Sequence, residues 1–323
     1  MSVRHPRALR NTGRMLLLAA VVSTSVNAAQ AYQLVPGTGY RITAVGDDFE
    51  DEKWSYEPNE PKASTNIDHQ DRQPGGISGN SRIYESTYRG QPDVVRRVPT
   101  PPGGLPRSKG ALLMQTRASG IPGNPTYKMQ QDDLMVNVTS LLGGNISVSR
   151  SPSVVVRVYL PPWEQWEPRT GSSFALRADV EAWNNGSSGG FRRRMMPKRE
   201  NYWPGIFIQF NRKADGHPKD NATLLIRGDQ MGHEFIGPTI NEPGWWTLGM
   251  SFTPDGMVHY YAHAGVERLT ANDHITSQYP YGFHCDTFNT FFFNVVNQDN
   301  GRNVSTPWIV DNVALYTLSN SNP

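Results

Sequence analysis

GWWTLGMSFTPDGMVHYYAHAGV, residues 244–266, consists of two alternating runs joined by a turn. In the second run Val258, Tyr260 and Ala262 alternate with His259, Tyr261 and His263. A period of two is what a strand with one buried face requires. Between the runs, TPDG (253–256) supplies the proline, aspartate and glycine that close a tight reversal. The stretch therefore predicts an antiparallel hairpin, with strands over 244–254 and 256–265.

Working outward, similar runs predict strands at 41–50, 110–118, 151–160, 173–183, 205–213, 222–229, 288–298 and 307–318. With 25 prolines and 30 glycines, few windows keep a helical period. Many short strands with turn residues between them predict an all-β chain, an antiparallel β-sandwich of jelly-roll type. Residues 56–82 and 96–110 are rich in Pro, Gly and polar side chains and predict long loops in the amino-terminal third. We expect one sandwich domain over 32–320, with 32–125 as its loop-rich part.

Residues 1–31 have the pattern of a secretory signal peptide. Arg4, Arg7, Arg10 and Arg14 precede the short apolar run MLLLAAVV (15–22), and AQA (29–31) is a small-residue cleavage site. The expectation is a secreted, cell-surface or periplasmic protein. Residues 1–31 contain four arginines and no acid, so the remainder carries 27 basic against 29 acidic side chains. The small positive charge of the full chain is thus no footprint for nucleic acid. Cys285 is the single cysteine, which excludes an internal disulfide and a thiolate metal cluster. Its thiol is expected to be buried and inert. No phosphate loop, dinucleotide fingerprint, zinc motif or G-x-S-x-G elbow occurs.

The hairpin, the terminal strand PWIVDNVALYTL (307–318) and GDDFED (46–51) together resemble the concanavalin A-like lectin/glucanase jelly rolls, over the carboxyl-terminal half and a short segment near 46–54. That resemblance implies a first strand pairing beside the last, and a structural calcium ion tying the two together. The implied ligands are Asp311 with Asp48 or Glu50. Alternation places Asp311 in one row with Ile309, Val313 and Leu315, where a carboxylate is costly unless coordinated or paired. A bulge, backbone N–H groups or an arginine would meet the same need.

Period two also sorts a polar row opposite the apolar one. It contains Arg177, Asp179, Glu181 and Trp183; Gln209 and Asn211; Arg227; His259, Tyr261 and His263; and Asn294. Arginines, amides and aromatic rings suit sugars, whose hydroxyls need hydrogen-bond partners and whose C–H faces stack on rings. The leading expectation is a carbohydrate-binding protein whose partner is extracellular polysaccharide. The alternatives are a polysaccharide lyase or glycoside hydrolase on the same fold, and a structural surface protein. The Glu-x-Asp-x-x-Glu signature of the family's retaining glucanases is absent. LRADVE (176–181) and VHYYAHAGV (258–266) weakly resemble strands of alginate lyases. By that resemblance Arg177 and Gln209 would hold a uronate carboxylate, and His259 and Tyr261 would move the proton. Trp163, Trp166 and Trp203 are either glycan platforms or caps on the core. The basic run 192–199 contacts an acidic polymer or is a solvated loop.

Overall fold

The computed structural model describes residues 34–70, 72–121, 123–184, 198–229 and 231–319. The leader at 1–31 and most of the basic run 192–199 lie outside them. In chain order the strands are β1 (Tyr40–Asp47), β2 (Tyr56–Glu57), β3 (Ile77–Ser78), β4 (Ile83–Glu85), β5 (Val94–Pro99), β6 (Gly110–Gln115), β7 (Gln130–Val136), β8 (Ile146–Ser147), β9 (Ser153–Leu160), β10 (Gly171–Asn184), β11 (Lys198–Tyr202), β12 (Gly205–Asn211), β13 (Asn221–Arg227), β14 (Glu234–Ile240), β15 (Gly244–Phe252), β16 (Val258–Ala264), β17 (His274–Gln278), β18 (Cys285–Asn297) and β19 (Trp308–Thr317). Two single α-helical turns, Thr65–Asp68 and Thr139–Leu142, and five short 3-10 turns interrupt them among the described residues.

The strands form two antiparallel sheets. The eight-stranded sheet runs β17-β16-β15-β9-β19-β6-β5, with β1 also on β19. The eleven-stranded sheet runs β14-β13-β12-β10-β18-β7-β4-β3-β2, with β11 on β10 and β8 on β18. This is the jelly-roll sandwich expected from the alternation. The hairpin forms as predicted: Phe252 faces Val258 across the turn, and Gly256 N donates to Thr253 O at 2.8 Å.

The inward rows of both sheets meet in one apolar core. Val154, Val156, Val158, Leu248, Met250 and Tyr260 come from one sheet, and Phe174, Leu176, Ile206, Ile208, Phe291 and Phe293 from the other. Each fully buried large side chain contributes about 1.5–3 kcal/mol. Trp166 is buried against Phe210 and Trp308, with Trp163 stacked on Phe210, so these two tryptophans cap the core. Cys285 is buried and its thiol is pushed up to about 12 by desolvation, as an inert interior cysteine requires.

Strand β19 departs from simple alternation. Its register against β9 shifts between Asp311 and Ala314, and Asn312 has a φ of 46°. This β-bulge reverses the phase of the strand. Trp308 and Val310 face the core before it, and Val313 and Leu315 after it. Asp311 therefore does not share a row with Val313 and Leu315. It stands opposite Arg157 of β9, on the sheet's outer side.

The amino-terminal third holds more structure than its composition suggests. Strand β5 occupies part of the predicted 96–110 loop, and β2 to β4 lie within or just beyond 56–82. Buried charges anchor these pieces. Lys62 Nζ donates to Asp132 at 2.6 Å, Asp93 at 2.7 Å and Gln91 O at 3.0 Å, joining the loop before β3 to β7 and to the start of β5. Burial alone would lower the pKa of Lys62, but the two carboxylates more than offset it and hold the ammonium charged. Glu85 is fully buried and accepts from the N–H groups of Ala63, Gly75 and Gly76 and from Asn59 Nδ2. Removing one partner of a buried pair strands the other. Lys62→Met is therefore expected to lower the unfolding free energy by about 3–5 kcal/mol in urea titrations. A loss below about 1 kcal/mol would show that this anchor is not needed.

Candidate functional site

The outer face of the eleven-stranded sheet is organised by register. Arg227, Gly205, Arg177, Phe292, Met135 and Tyr84 stand side by side across β13, β12, β10, β18, β7 and β4. Gly205 leaves the space that Arg177 fills, since a Cβ there would lie 2.6 Å from Arg177 Cγ. The half-buried Arg177 donates from Nε (3.2 Å) and Nη2 (2.9 Å) to Trp203 O. Its guanidinium lies 5.4 Å from the Phe207 ring centre and 5.5 Å from that of Phe292. Arg227 lies 4.5 Å from the Phe207 ring and pairs with Glu234 at 2.6 Å. Burial draws Arg177 down to about 10, opposed by the charge of Asp133, so it is a cation at neutral pH.

The next row holds Leu225, Phe207, Ala175, Asn294 and Asp133. Asp133 is buried and accepts from Asn294 Nδ2 at 2.6 Å and Gln131 Nε2 at 2.9 Å. Its carboxyl is raised by burial, against the charges of Arg177 and Arg89. On the other side of Arg177, Asp179 accepts from Asn201 (2.8 Å) and Asn289 (3.2 Å), and Asn289 also reaches Glu181 at 3.3 Å. Burial raises the Asp179 carboxyl despite these bonds. The phenol of Tyr84 is raised by burial and by the charge of Asp179. Glu181 pairs with Arg199 at 3.1 Å, and Arg199 covers the Trp183 ring at 5.2 Å. Trp183 is 49% and Trp203 41% exposed, so both present free ring surface. At the far end Gln209 Nε2 donates to Asn211 Oδ1, and Asn211 Nδ2 donates to Asn221 Oδ1 and Thr223 Oγ1.

Eight of the eleven expected sugar-contacting residues thus share one face: Arg177, Asp179, Glu181, Trp183, Gln209, Asn211, Arg227 and Asn294. The other three do not. His259, Tyr261 and His263 lie on β16, in the opposite sheet, and point out of its far side. Alternation along a strand assigns a face but not a sheet. His259 is fully buried, bonded to Thr253 Oγ1 (3.0 Å) and Ser277 Oγ (2.7 Å), and desolvation lowers it to about 4. Tyr261 is fully buried beside Val155 and Leu269. His263 pairs with Asp273 at 2.8 Å. The proton-moving set of Arg177, Gln209, His259 and Tyr261 is therefore not assembled. Three residues of the face, Tyr84, Asp133 and Asn289, escaped the sequence reading. In QQDDLMV the adjacent acids hide the alternation that would have marked β7, and β4 is only three residues long.

No protein-family model matches the chain, and no curated protein matches it. Solved structures do resemble it. An alginate lyase from Pseudomonas aeruginosa is 10% identical, with a TM-score of 0.37 over 64% of this chain and 82% of that one. The exoplasmic/lumenal domain of VIP36, in a Ca2+/Man2-bound form, is 9% identical, with a TM-score of 0.36 over 71% and 91%. An endo-β-1,4-glucuronan lyase from the fungus Trichoderma reesei is 14% identical, with a TM-score of 0.32 over 70% and 90%. Identities this low transfer no residue roles.

The acidic set Asp48, Glu50 and Asp311 does not converge. Asp48 accepts from Glu50 N at 3.3 Å, and both Glu50 oxygens accept from Lys109 N at 3.0 and 3.1 Å. Asp311, 1% exposed, accepts from Ser108 Oγ at 2.9 Å and Asn312 N at 2.6 Å. Among the described residues no three His, Cys, Asp or Glu side chains are grouped to hold a metal ion. The acid next door, Asp47, is the buried one, accepting from Phe49 N, Trp54 Nε1 and Asn80 Nδ2. The three implied ligands are thus held separately and, among the described residues, form no group fit for the implied ion. Burial instead pushes Asp311 up to about 6, against its two hydrogen bonds and the charge of Arg157.

This value exceeds that of an unfolded aspartate, near 3.9. The folded chain therefore holds a proton that the unfolded chain has released. The resulting stabilisation is complete below about pH 4 and is lost as pH rises through 6. Asp311→Asn is expected to gain on the parent protein across that window by up to about 3 kcal/mol in urea-unfolding free energies. A difference independent of pH between 4 and 7 would contradict the assignment.

Proposed function

We propose that the protein is exported and that the outer face of its eleven-stranded sheet binds an extracellular polysaccharide bearing carboxylates. The observation that carries this reading is Arg177. It is a cation set between two phenylalanine rings and a backbone carbonyl, with no carboxylate in ion-pair contact among the described residues. The fork of a guanidinium is complementary to a carboxylate, and the low-dielectric surroundings strengthen the pairing. Exposed Trp183 and Trp203 offer flat surfaces for the C–H faces of sugar rings. Asn201 and Asn289 lie at the same level to meet hydroxyls.

One observation favours a second reading, cleavage. Asp179 keeps its carboxyl protonated to higher pH than an exposed acid does, and it shares Asn289 with the Glu181 carboxylate. An acid tuned upward beside a second ionisable group is a candidate proton donor. A single incubation with polyuronate separates the readings. Binding without new chain ends means a lectin-like module, unsaturated ends mean β-elimination, and saturated reducing ends mean hydrolysis. In either case Arg177→Ala is expected to weaken polyuronate binding at least tenfold in calorimetric titrations, with the melting temperature within a few degrees of the parent's. Unchanged affinity in a folded Arg177→Ala variant would remove this face as the binding surface.

A further inference from the structure

The outer side of the other sheet carries a cleft of about 870 Å3 that the reading above does not use. Its wall is built by residues 34–39, which cross the face of β15 and β9. Ser251 Oγ donates to Leu34 O, and Gly37 N donates to Ser153 Oγ at 3.2 Å. The close approach depends on Gly249. A Cβ there would come within 2.5 Å of Leu269 Cδ1 and 2.8 Å of Pro36 Cβ.

Three arginines line this cleft: Arg157 from β9, Arg41 from β1, and Arg268. Arg157 is only 6% exposed. Its Nε donates to Val266 O at 3.3 Å, and the guanidinium makes no other protein hydrogen bond or ion pair among the described residues. Burial lowers its pKa, and the like charges of Arg41 and Arg268 lower it further, against Tyr316 and Asp311. The nearby acids are committed elsewhere. Asp311 is bonded to Ser108 and Asn312, and Glu267, the one acid of the lining, faces His263 Nε2 at 3.6 Å. Like charges gathered on a concave, partly apolar wall raise the local potential and favour an anion. The volume lies in the range of small-molecule sites.

We propose that this cleft is a second ligand site, for an organic carboxylate whose charged group meets Arg157 and whose body rests on Pro36 and Leu269, with Arg41 and Arg268 at its mouth. The proposal stands independently of the polysaccharide face. The test is calorimetric titration of the purified protein with sodium benzoate and sodium cyclohexanecarboxylate, with benzamide and cyclohexanecarboxamide as neutral counterparts, all at fixed ionic strength. At least one acid is expected to bind saturably, and its neutral counterpart to give no heat. Affinity should fall at least tenfold in Arg157→Gln and in the surface variant Arg41→Ala/Arg268→Ala, and stay unchanged in Arg177→Ala. Because the unliganded arginines repel one another, the surface variant should melt no lower than the parent. Absence of saturable binding by either acid would overturn the proposal. So would binding that survives the surface variant, or binding that is lost in Arg177→Ala instead.

Discussion

The constraint on which the sandwich turns is that β19 must serve two strands along one edge. Trp308 to Val310 pair with β6, and Val313 to Thr317 pair with β1, while β9 runs along the other edge throughout. In β19 the hand-over between these partners coincides with a break in register. The bulge at Asp311 and Asn312 is that break. Gly46 of β1 packs against it so closely that a Cβ would sit 2.1 Å from Val313 O. The bulge also turns the carboxylate of Asp311 out of the core and next to Arg157. Sheet continuity, the placement of an acid and the charge balance of the outer cleft thus share one local cause.

The second structural theme is the use of buried polar groups where apolar ones are scarce. The amino-terminal third has few core residues and no disulfide to brace it. Asp47, Lys62, Glu85 and Asp132 instead reach inward and satisfy backbone N–H groups, amides and one another. Such groups are costly when unpaired, so they tolerate one arrangement of the loops and disfavour others. This places Tyr84 and Asp133 on the same outer face as Arg177, and so links the loop-rich third to that face.

The two outer faces of the sandwich differ chemically. On one, Arg177 and Arg227 share an aromatic ring amid amides, acids and exposed tryptophans, a surface suited to an extended polar chain. On the other, His259 and Tyr261 of β16 are buried, and arginines gather about a confined cleft. Separating them removes the composite proton-transfer set built on His259 and Tyr261. It leaves Asp179 and Glu181, which share Asn289, on the face of Arg177.

By itself the sequence determined most strands of the carboxyl-terminal half, though not β11, β14 or β17, together with the hairpin at TPDG and which side chains of β10, β12 and β13 face outward. These follow from the two-residue period of the pleat, which is a local property. It also marked Arg177 and Asn294 as residues of one face, and Trp166 as a candidate core cap. Only the tertiary structure decided which sheet each strand joins, because hydrogen-bonded pairing is non-local and leaves no trace in alternation. That is why His259, Tyr261 and His263 were grouped with Arg177 although β16 belongs to the other sheet. The bulge in β19 was equally hidden. One extra residue inverts the phase of every position beyond it, so Asp311 left the row that periodicity assigned to it.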